Sequence, residues 1–238
     1  MTMKGFNLPA PDKKGIIRAL PDELSEVNKN RLKKFGVFMF LYDFAQDHMV
    51  RPRIHKADPE RHRDILKAHI APIRNAQVLD MACGTGGAIP HFDPTNAYTG
   101  LDLSYAMLRQ AVKKAKKKGF PTCRLIEGNA EDLPFEKASF DLVLMDTALH
   151  MIPRYDTAIS EAGRVLKKDG TFFCATPAVG IHRAFDSNWE KIAGKRELHS
   201  LTEQDISDVC TKHALSYSRA ETNGGVLYFT AKNALRPE

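Results

Sequence analysis

Two carboxylates flank a glycine-rich turn in the first half of the sequence. Asp80 ends an apolar run, a turn containing Gly84 and Gly86 follows it, and Asp102 ends the next apolar run. Glycine lets a ligand approach the backbone where a Cβ would collide, and such turns lie at the carboxyl ends of strands in open α/β sheets, where ligands bind. The pattern predicts a nucleotide-binding site, although tight strand-to-helix packing would explain the turn taken alone.

The residues around the turn narrow the class of nucleotide. A dinucleotide fingerprint needs a third glycine where this chain has Ile89, and a P-loop needs Gly-Lys-Ser/Thr, which is absent. Asp102 could accept both ribose hydroxyls of an adenosine. Asp80 suits a ligand that carries an ammonium group, since it would repel a pyrophosphate. The sequence therefore disfavours both a dinucleotide and a nucleoside triphosphate as the ligand.

Five co-linear motifs resemble those of class I S-adenosylmethionine-dependent methyltransferases. In chain order they are residues 80–86, Asp102, and residues 128–135, 140–143 and 164–171. More narrowly, they are similar to the branch that includes the ubiquinone and menaquinone C-methyltransferases and many small-molecule O- and N-methyltransferases. The resemblance covers residues 76–176, and five motifs in order are far more specific than one.

The resemblance implies S-adenosylmethionine as the cofactor and assigns its contacts. The methionyl part would lie against the turn and the ribose on Asp102, while Asn129 and Ala130 would meet the adenine edge. Many relatives have Asp where this chain has Asn129. Leu103 would pack on the adenine ring or belong to ordinary core. The expected cofactor contacts are Tyr42, Asp80, Ala82, Cys83, Gly84, Gly86, Asp102, Leu103, Asn129, Ala130 and Met145.

Residues 145–152 follow the fourth predicted strand and are expected to face the methyl acceptor. His150 is the candidate general base, because imidazole takes a proton near neutral pH, and a structural histidine is the alternative. Asp146 is interpreted as a polar substrate contact or a helix-start acid. Trp189 lies in an insertion, residues 177–201, that is expected to shape the acceptor pocket. The segment lacks the Asn/Asp-Pro-Pro-aromatic signature of enzymes that methylate adenine or glutamine nitrogens.

Methyl transfer to an O, N or activated C atom is an in-line displacement, so positioning and exclusion of water matter most. We therefore expect the apolar amino-terminal helix to act as a lid, with ordinary core as the alternative. Its Tyr42-Asp43 pair resembles one in the quinone branch. Arg51 and Arg53 are predicted to be solvated at the surface, with a bidentate contact to an acidic substrate as the alternative. The aromatic residues of the predicted lid are Phe38, Phe40, Tyr42 and Phe44.

The elements that must position these residues alternate between strands and helices after residue 72. Helices are predicted over residues 59–70, 105–118, 155–168 and 202–214, and strands over 77–79, 97–101, 124–126, 142–145, 171–175, 216–221 and 226–231. The pattern and the resemblance together predict an α/β, Rossmann-like class I methyltransferase fold, with a mostly parallel seven-stranded sheet and a carboxyl-terminal antiparallel hairpin.

Residues 1–57 are expected to form an amino-terminal extension, and residues 58–238 the methyltransferase domain. Pro9, Pro11, Gly15 and Pro21 predict an extended or mobile lead-in over residues 1–21. A helix capped by Asp22 would follow and run to about Asp47.

The composition of the 238 residues indicates in which cellular compartment the protein is expected. Four scattered cysteines, without disulfide or zinc spacing, argue against a disulfide framework and predict no metal site. The longest apolar run, residues 35–42, is too short to cross a bilayer, and the amino terminus lacks an apolar signal region. These features predict a cytoplasmic protein.

The net charge of +6 permits attraction to phosphates but does not require it. Five lysines cluster on the predicted helix over residues 105–118 without the interleaved aromatic residues that stack on bases, so they are interpreted as a solvated face. The expected partner is a small-molecule methyl acceptor rather than a nucleic acid. An RNA methyltransferase and a non-catalytic S-adenosylmethionine-binding protein remain as alternatives, and a homodimer is left open.

Overall fold

An eight-stranded sheet forms the centre of the computed structural model, which describes residues 8–21, 23–35 and 42–233. The strands are β1 Ile16–Arg18, β2 Gln77–Met81, β3 Ala97–Asp102, β4 Thr122–Glu127, β5 Phe140–Asp146, β6 Leu166–Pro177, β7 Leu215–Asn223 and β8 Val226–Asn233. Their order in the sheet is β1-β4-β3-β2-β5-β6-β8-β7. The strands from β1 to β6 pair in parallel, whereas β8 is antiparallel to both β6 and β7.

Helices cover both faces of the sheet. The α-helices are α1 Glu26–Phe35, α2 Tyr42–Ala45, α3 Pro59–Ile70, α4 Tyr105–Lys118, α5 Tyr155–Val165, α6 Arg183–Arg196 and α7 Glu203–Lys212. A π-helical stretch, Gln46–Ile54, continues α2, and two short 3₁₀ turns lie at Ile89–His91 and Leu149–Met151. The sheet separates two apolar clusters: one includes Leu66 of α3 and Leu108 of α4, and the other includes Ile159 of α5 and Ile206 of α7.

Capping residues set the boundaries of the two helices nearest the glycine turn. The side chain of Asp58 accepts a hydrogen bond from the Arg61 amide, and Pro59 begins α3 with its φ already set for a helix. Ser104 caps the start of α4, and Gly119 ends it in the left-handed conformation with φ +75°. The predicted bounds of both helices are therefore confirmed.

The predicted parallel sheet with a carboxyl-terminal hairpin is confirmed, but the predicted strand number was wrong. The eighth strand is β1, which lies in the segment predicted to be an extended or mobile lead-in. Ile16 pairs with Leu125 of β4 and is fully buried. Asp12 also fixes the turn before β1, since its carboxylate accepts hydrogen bonds from the Lys14 and Ile16 amides.

Three helical predictions also need correction. Helix α5 ends at Val165 instead of running to residue 168, because Leu166 already pairs with Phe140 at an irregularity between β5 and β6. The 177–201 insertion contains α6, which was not predicted. The extension remains helical to Ile54, past the predicted end at Asp47, while the predicted cap Asp22 lies outside the described residues.

Candidate active site

The order β3-β2-β5 places three acidic strand ends side by side. Asp80 lies in β2, Asp102 ends β3 and Asp146 ends β5, and the three strands are parallel neighbours. Carboxyl ends of parallel strands meet at one edge of a sheet, so these side chains share a cleft. The cleft contains three adjoining cavities, and Tyr42 and Thr147 line all of them.

The first cavity, which we call the β3 cavity, has a volume of about 120 Å³. The carboxylate of Asp102 lies in its wall and accepts hydrogen bonds of 2.8 Å from the backbone amides of Gly84 and Ser104. Burial raises the pKa of Asp102 to about 6, against the opposing effect of these two bonds. Leu103, Asn129 and Ala130 also line this cavity, as expected for contacts to one ligand.

Asn129 is already held by its neighbour in the chain. Its amide nitrogen donates to Glu131 Oε2 at 3.2 Å, and its amide oxygen accepts from the Glu131 backbone at 3.1 Å. The side chain is thereby fixed in orientation, and it keeps one amide proton and one lone pair for a ligand.

The second cavity, which we call the turn cavity, has a volume of about 210 Å³ and lies against Ala82, Cys83 and Gly84. Ala82 and Gly84 have φ values of +60° and +54°, the region that glycine adopts freely. A Cβ built on Gly84 would meet no protein atom within 4 Å, and Gly84 lines both the β3 and the turn cavities. Backbone strain at Ala82 is typical of a functional site.

Two residues that were expected to contact the cofactor, Gly86 and Met145, pack against other parts of the protein. A Cβ on Gly86 would collide with Ile89 Cδ1 and would lie 3.2 Å from the backbone of Ala111 in α4, so this glycine permits close packing of the turn on α4. Met145 is fully buried in the apolar core. Neither residue is among those that line the three cavities, and their cofactor contacts stay predictions.

Asp80 is almost completely buried in the wall of the turn cavity and accepts a hydrogen bond of 2.8 Å from the Tyr98 hydroxyl. Burial, helped by the nearby charges of Asp146 and Asp102, raises its pKa to about 7 against the opposing hydrogen bond from Tyr98. A positively charged ligand beside Asp80 would favour its ionised form.

Asp146 is held by side chains from two elements that lie between β1 and β2 in the chain, the π-helical stretch and α3. Its Oδ2 lies 3.3 Å from His62 Nε2 and 3.6 Å from Arg51 Nη2. Burial opposes ionisation, but His62, Arg51 and the Thr147 hydroxyl outweigh it and lower the pKa of Asp146 to about 2. Asp146 is therefore a carboxylate at neutral pH.

The prediction that Arg51 is solvated was wrong, whereas Arg53 is exposed as predicted. Only 12% of the Arg51 side chain is accessible, because its guanidinium donates to Asp47 at 2.9 Å and faces Asp146. The two carboxylates compensate its charge at this depth.

The third cavity, which we call the α6 cavity, has a volume of about 450 Å³ and mostly apolar walls. His150 and Trp189, both predicted to face the acceptor, lie in it with ring centroids 5.5 Å apart. His55 also lines it, 6.2 Å from the His150 ring, and was not singled out from the sequence. Burial and the charge of Arg51 lower the pKa of His55 to about 3, so its imidazole is neutral at physiological pH.

The start of α2 covers the three cavities and is tied to the glycine turn. Asp43 accepts hydrogen bonds from the Thr85 hydroxyl and from Lys114 Nζ of α4. The Tyr42 hydroxyl lies near Asp102 and Asp146, and burial with these charges raises its pKa to about 12. Phe44, in contrast, is 58% exposed, and Phe38 and Phe40 lie outside the described residues.

Within residues 8–21, 23–35 and 42–233, no group of three or more His, Cys, Asp or Glu side chains could hold a metal ion. None of the helices that these residues form combines the length and the apolar composition that a membrane-spanning segment needs.

Known proteins resemble this chain in the region that contains the glycine turn and the acidic strand ends. Residues 79–174 match a family described as a methyltransferase domain. The demethylmenaquinone methyltransferase of Staphylococcus aureus strain JH9 is 31% identical over 161 residues. The aligned region covers 66% of this chain and 61% of that relative. The chain thus spans less than two thirds of the relative's length.

Solved structures share the fold at low sequence identity. The geranyl diphosphate C-methyltransferase of Streptomyces coelicolor A3(2) is 15% identical with a TM-score of 0.67, covering 90% of this chain and all of that one. The [4+2]-cyclase SpnF is 15% identical with a TM-score of 0.68, covering 92% of this chain and all of that one. Identities this low show a common fold and nothing finer.

Proposed function

We propose that this chain is a class I methyltransferase that transfers a methyl group from S-adenosylmethionine to a small-molecule acceptor. The proposal is supported by the match of residues 79–174 to a methyltransferase domain family and by the 31% identity to a demethylmenaquinone methyltransferase over 161 residues. One observation carries the proposal: the β3 and turn cavities, which contain the acidic strand ends, adjoin the apolar α6 cavity, with Tyr42 and Thr147 in the walls of all three. A charged cofactor and an uncharged acceptor would meet at that junction.

The residues present fit the cofactor. Asp102 keeps free lone pairs for ribose hydroxyls, because each of its oxygens uses one bond to a backbone amide. Gly84 leaves open space where a Cβ would project. The buried carboxylate of Asp80 suits an ammonium group, and Leu103, Asn129 and Ala130 supply an apolar wall with one amide for adenine.

When bound, S-adenosylmethionine supplies an activated methyl group, so the protein mainly has to hold the acceptor in line with it and exclude water. Trp189 and the aliphatic side chains of Ile54 and Ile192 give the α6 cavity a surface suited to an apolar acceptor. His150 lies there with its side chain buried and would take the proton from an acceptor hydroxyl or acidified carbon. His55 stays neutral and completes the polar part of the wall.

The proposal is tested with the purified protein, methyl-labelled S-adenosylmethionine and a panel of apolar acceptors that includes quinols and phenols. We expect label in at least one acceptor and tight binding of S-adenosylhomocysteine by calorimetry. Cofactor binding without label in any acceptor would favour a non-catalytic role or a different reaction, since the cyclase SpnF shares this fold. Binding of a nicotinamide or nucleoside triphosphate instead would contradict the proposal.

The affinity for S-adenosylhomocysteine should depend on pH, because the two carboxyls expected to bind it have raised pKa values. Asp80, with a pKa of about 7, and Asp102, with a pKa of about 6, are largely neutral in mild acid without ligand. The ionised forms bind, so affinity is full above these pKa values and is lost as pH falls through them. We expect a decrease of about tenfold between about pH 8 and about pH 6.

Calorimetry at both pH values, in two buffers of different protonation enthalpy, counts the protons released on binding. Asp80→Asn should bind more weakly at high pH and show a flatter profile, because it has lost one titrating group. An affinity that does not change between the two pH values would exclude both assignments.

We also propose that residues 1–57 form an extension whose α2 segment is a lid over the cofactor, with the domain proper in residues 58–238. Breaking the contact of Lys114 with Asp43 should raise the dissociation rate of S-adenosylhomocysteine by about two- to fivefold, since a partly exposed ion pair contributes at most about 1 kcal/mol. Lys114→Ala and Asp43→Ala should show non-additive effects in stopped-flow measurements.

Lys113→Ala is the matched control for the lid, because Lys113 is exposed one position along the same helix. If Lys113→Ala accelerates dissociation as much as Lys114→Ala does, general loss of positive charge explains the effect and the lid contact does not.

A further inference from the structure

Two oppositely charged side chains in the turn cavity each keep one buried polar atom without a hydrogen bond to the described residues. These atoms are Arg51 Nε and Asp146 Oδ1. Buried polar atoms are nearly always paired in folded proteins, so an unpaired donor and an unpaired acceptor in one cavity require an explanation. A ligand that offers both a negative and a positive group would supply it.

The remaining atoms of both side chains are already engaged, which fixes their orientation. Arg51 donates through Nη1 to Asp47 at 2.9 Å and approaches Asp146 through Nη2 at 3.6 Å. Asp146 Oδ2 is held by His62 Nε2, whose other ring nitrogen lies 2.6 Å from the Tyr228 hydroxyl. The chain therefore arranges a guanidinium and a carboxylate in advance of any ligand.

Both residues lie where a cofactor's amino-acid end would be expected. They line the turn cavity together with Ala82 and Gly84, and Asp146 also lines the β3 cavity where Asp102 lies. A single molecule with a ribose on Asp102 and an amino acid in the turn cavity would pass Asp146.

We propose that Arg51 binds the carboxylate of the amino-acid end of S-adenosylmethionine and that Asp146 binds its ammonium alongside the buried carboxylate of Asp80. The assignment rests on the proposed function and extends it. Guanidinium with carboxylate and carboxylate with ammonium are charge-assisted pairs, which are stronger than neutral hydrogen bonds. Arg51 belongs to the π-helical stretch of the extension, so the extension supplies a cofactor contact as well as a cover.

The test compares S-adenosylhomocysteine with its decarboxylated form, which keeps the ammonium, and with methylthioadenosine, which lacks the whole amino acid. Wild-type protein should bind the decarboxylated form about 10- to 100-fold more weakly than S-adenosylhomocysteine by calorimetry. Arg51→Met should weaken S-adenosylhomocysteine by a similar factor and leave the affinity for the decarboxylated form nearly unchanged. Arg53→Met, which alters an exposed arginine two residues away, should change neither affinity.

The role of Asp146 is tested by comparing methylthioadenosine with the two ligands that carry the ammonium group. Asp146→Asn should weaken both ligands that carry the ammonium and spare methylthioadenosine. Equal weakening of all three ligands by either variant would show a structural role and overturn that residue's assignment. Equal binding of S-adenosylhomocysteine and its decarboxylated form by wild-type protein would overturn the role of Arg51 without any variant. If wild-type protein binds none of the three, the proposed function itself fails, and the assignment with it.

Discussion

Asp102→Ala is expected to lower the affinity for S-adenosylhomocysteine by about 100-fold or more, the largest effect of any single substitution in the proposed cofactor site. Two hydrogen bonds from ribose hydroxyls to one carboxylate contribute about 1.5 to 3 kcal/mol each. Every 1.4 kcal/mol or so is a factor of ten in affinity. Asp102 is suited to this role because Gly84 and Ser104 hold its two oxygens from the backbone side.

Calorimetry measures the effect, and two further variants separate ligand contact from local structure. Asp102→Asn keeps an oxygen for one backbone amide but loses the charge, so we expect a smaller loss of about tenfold. Asp169→Ala removes an exposed carboxylate near the amino end of β6 and should leave the affinity unchanged. Affinity close to wild type in Asp102→Ala, with an intact melting transition, would remove Asp102 from the site.

His150→Ala is expected to reduce turnover by about 100-fold, in the range that a positioned general base contributes. Because His150 lines the α6 cavity and neither the β3 nor the turn cavity, the affinity for S-adenosylhomocysteine should change by no more than about twofold. The comparison requires an acceptor found in the labelling experiment, with kcat, KM and cofactor affinity measured on the same preparation.

His55→Ala is the matched comparison, since both imidazoles line the same cavity. The lowered pKa of His55 makes it a poor proton acceptor above about pH 4, so its loss should raise KM more than it lowers kcat. An unchanged turnover number in His150→Ala, or a larger loss of kcat in His55→Ala, would contradict the assignment of the base to His150.

Sequence patterns were sufficient for the core of the fold. Buried parallel strands are continuous apolar runs, so β2, β3 and β5 were placed within one or two residues of their observed ends. The strand β1 has only three residues, and its pairing with β4 joins positions more than 100 residues apart, which no local period reveals. Helix α6 was missed because its apolar stripe is limited to Phe185, Trp189 and Ala193 among polar residues.

For the candidate site too, local sequence patterns predict some residues and miss those that only long-range packing brings in. Asp80, Asp102 and Asp146 could be assigned to one site because each lies at or near the carboxyl end of a predicted strand, where open α/β sheets bind ligands. Arg51 and His55 could not, since their burial depends on where the extension packs against the sheet. Such long-range packing leaves no signal in the spacing of nearby residues.

Tyr42 belongs to the walls of all three cavities. Under the proposed function, a displacement of this one ring would change the walls of all three compartments together. Departure of the spent cofactor and of the product would then be coupled, and the opening of the extension would contribute to the rate of the cycle.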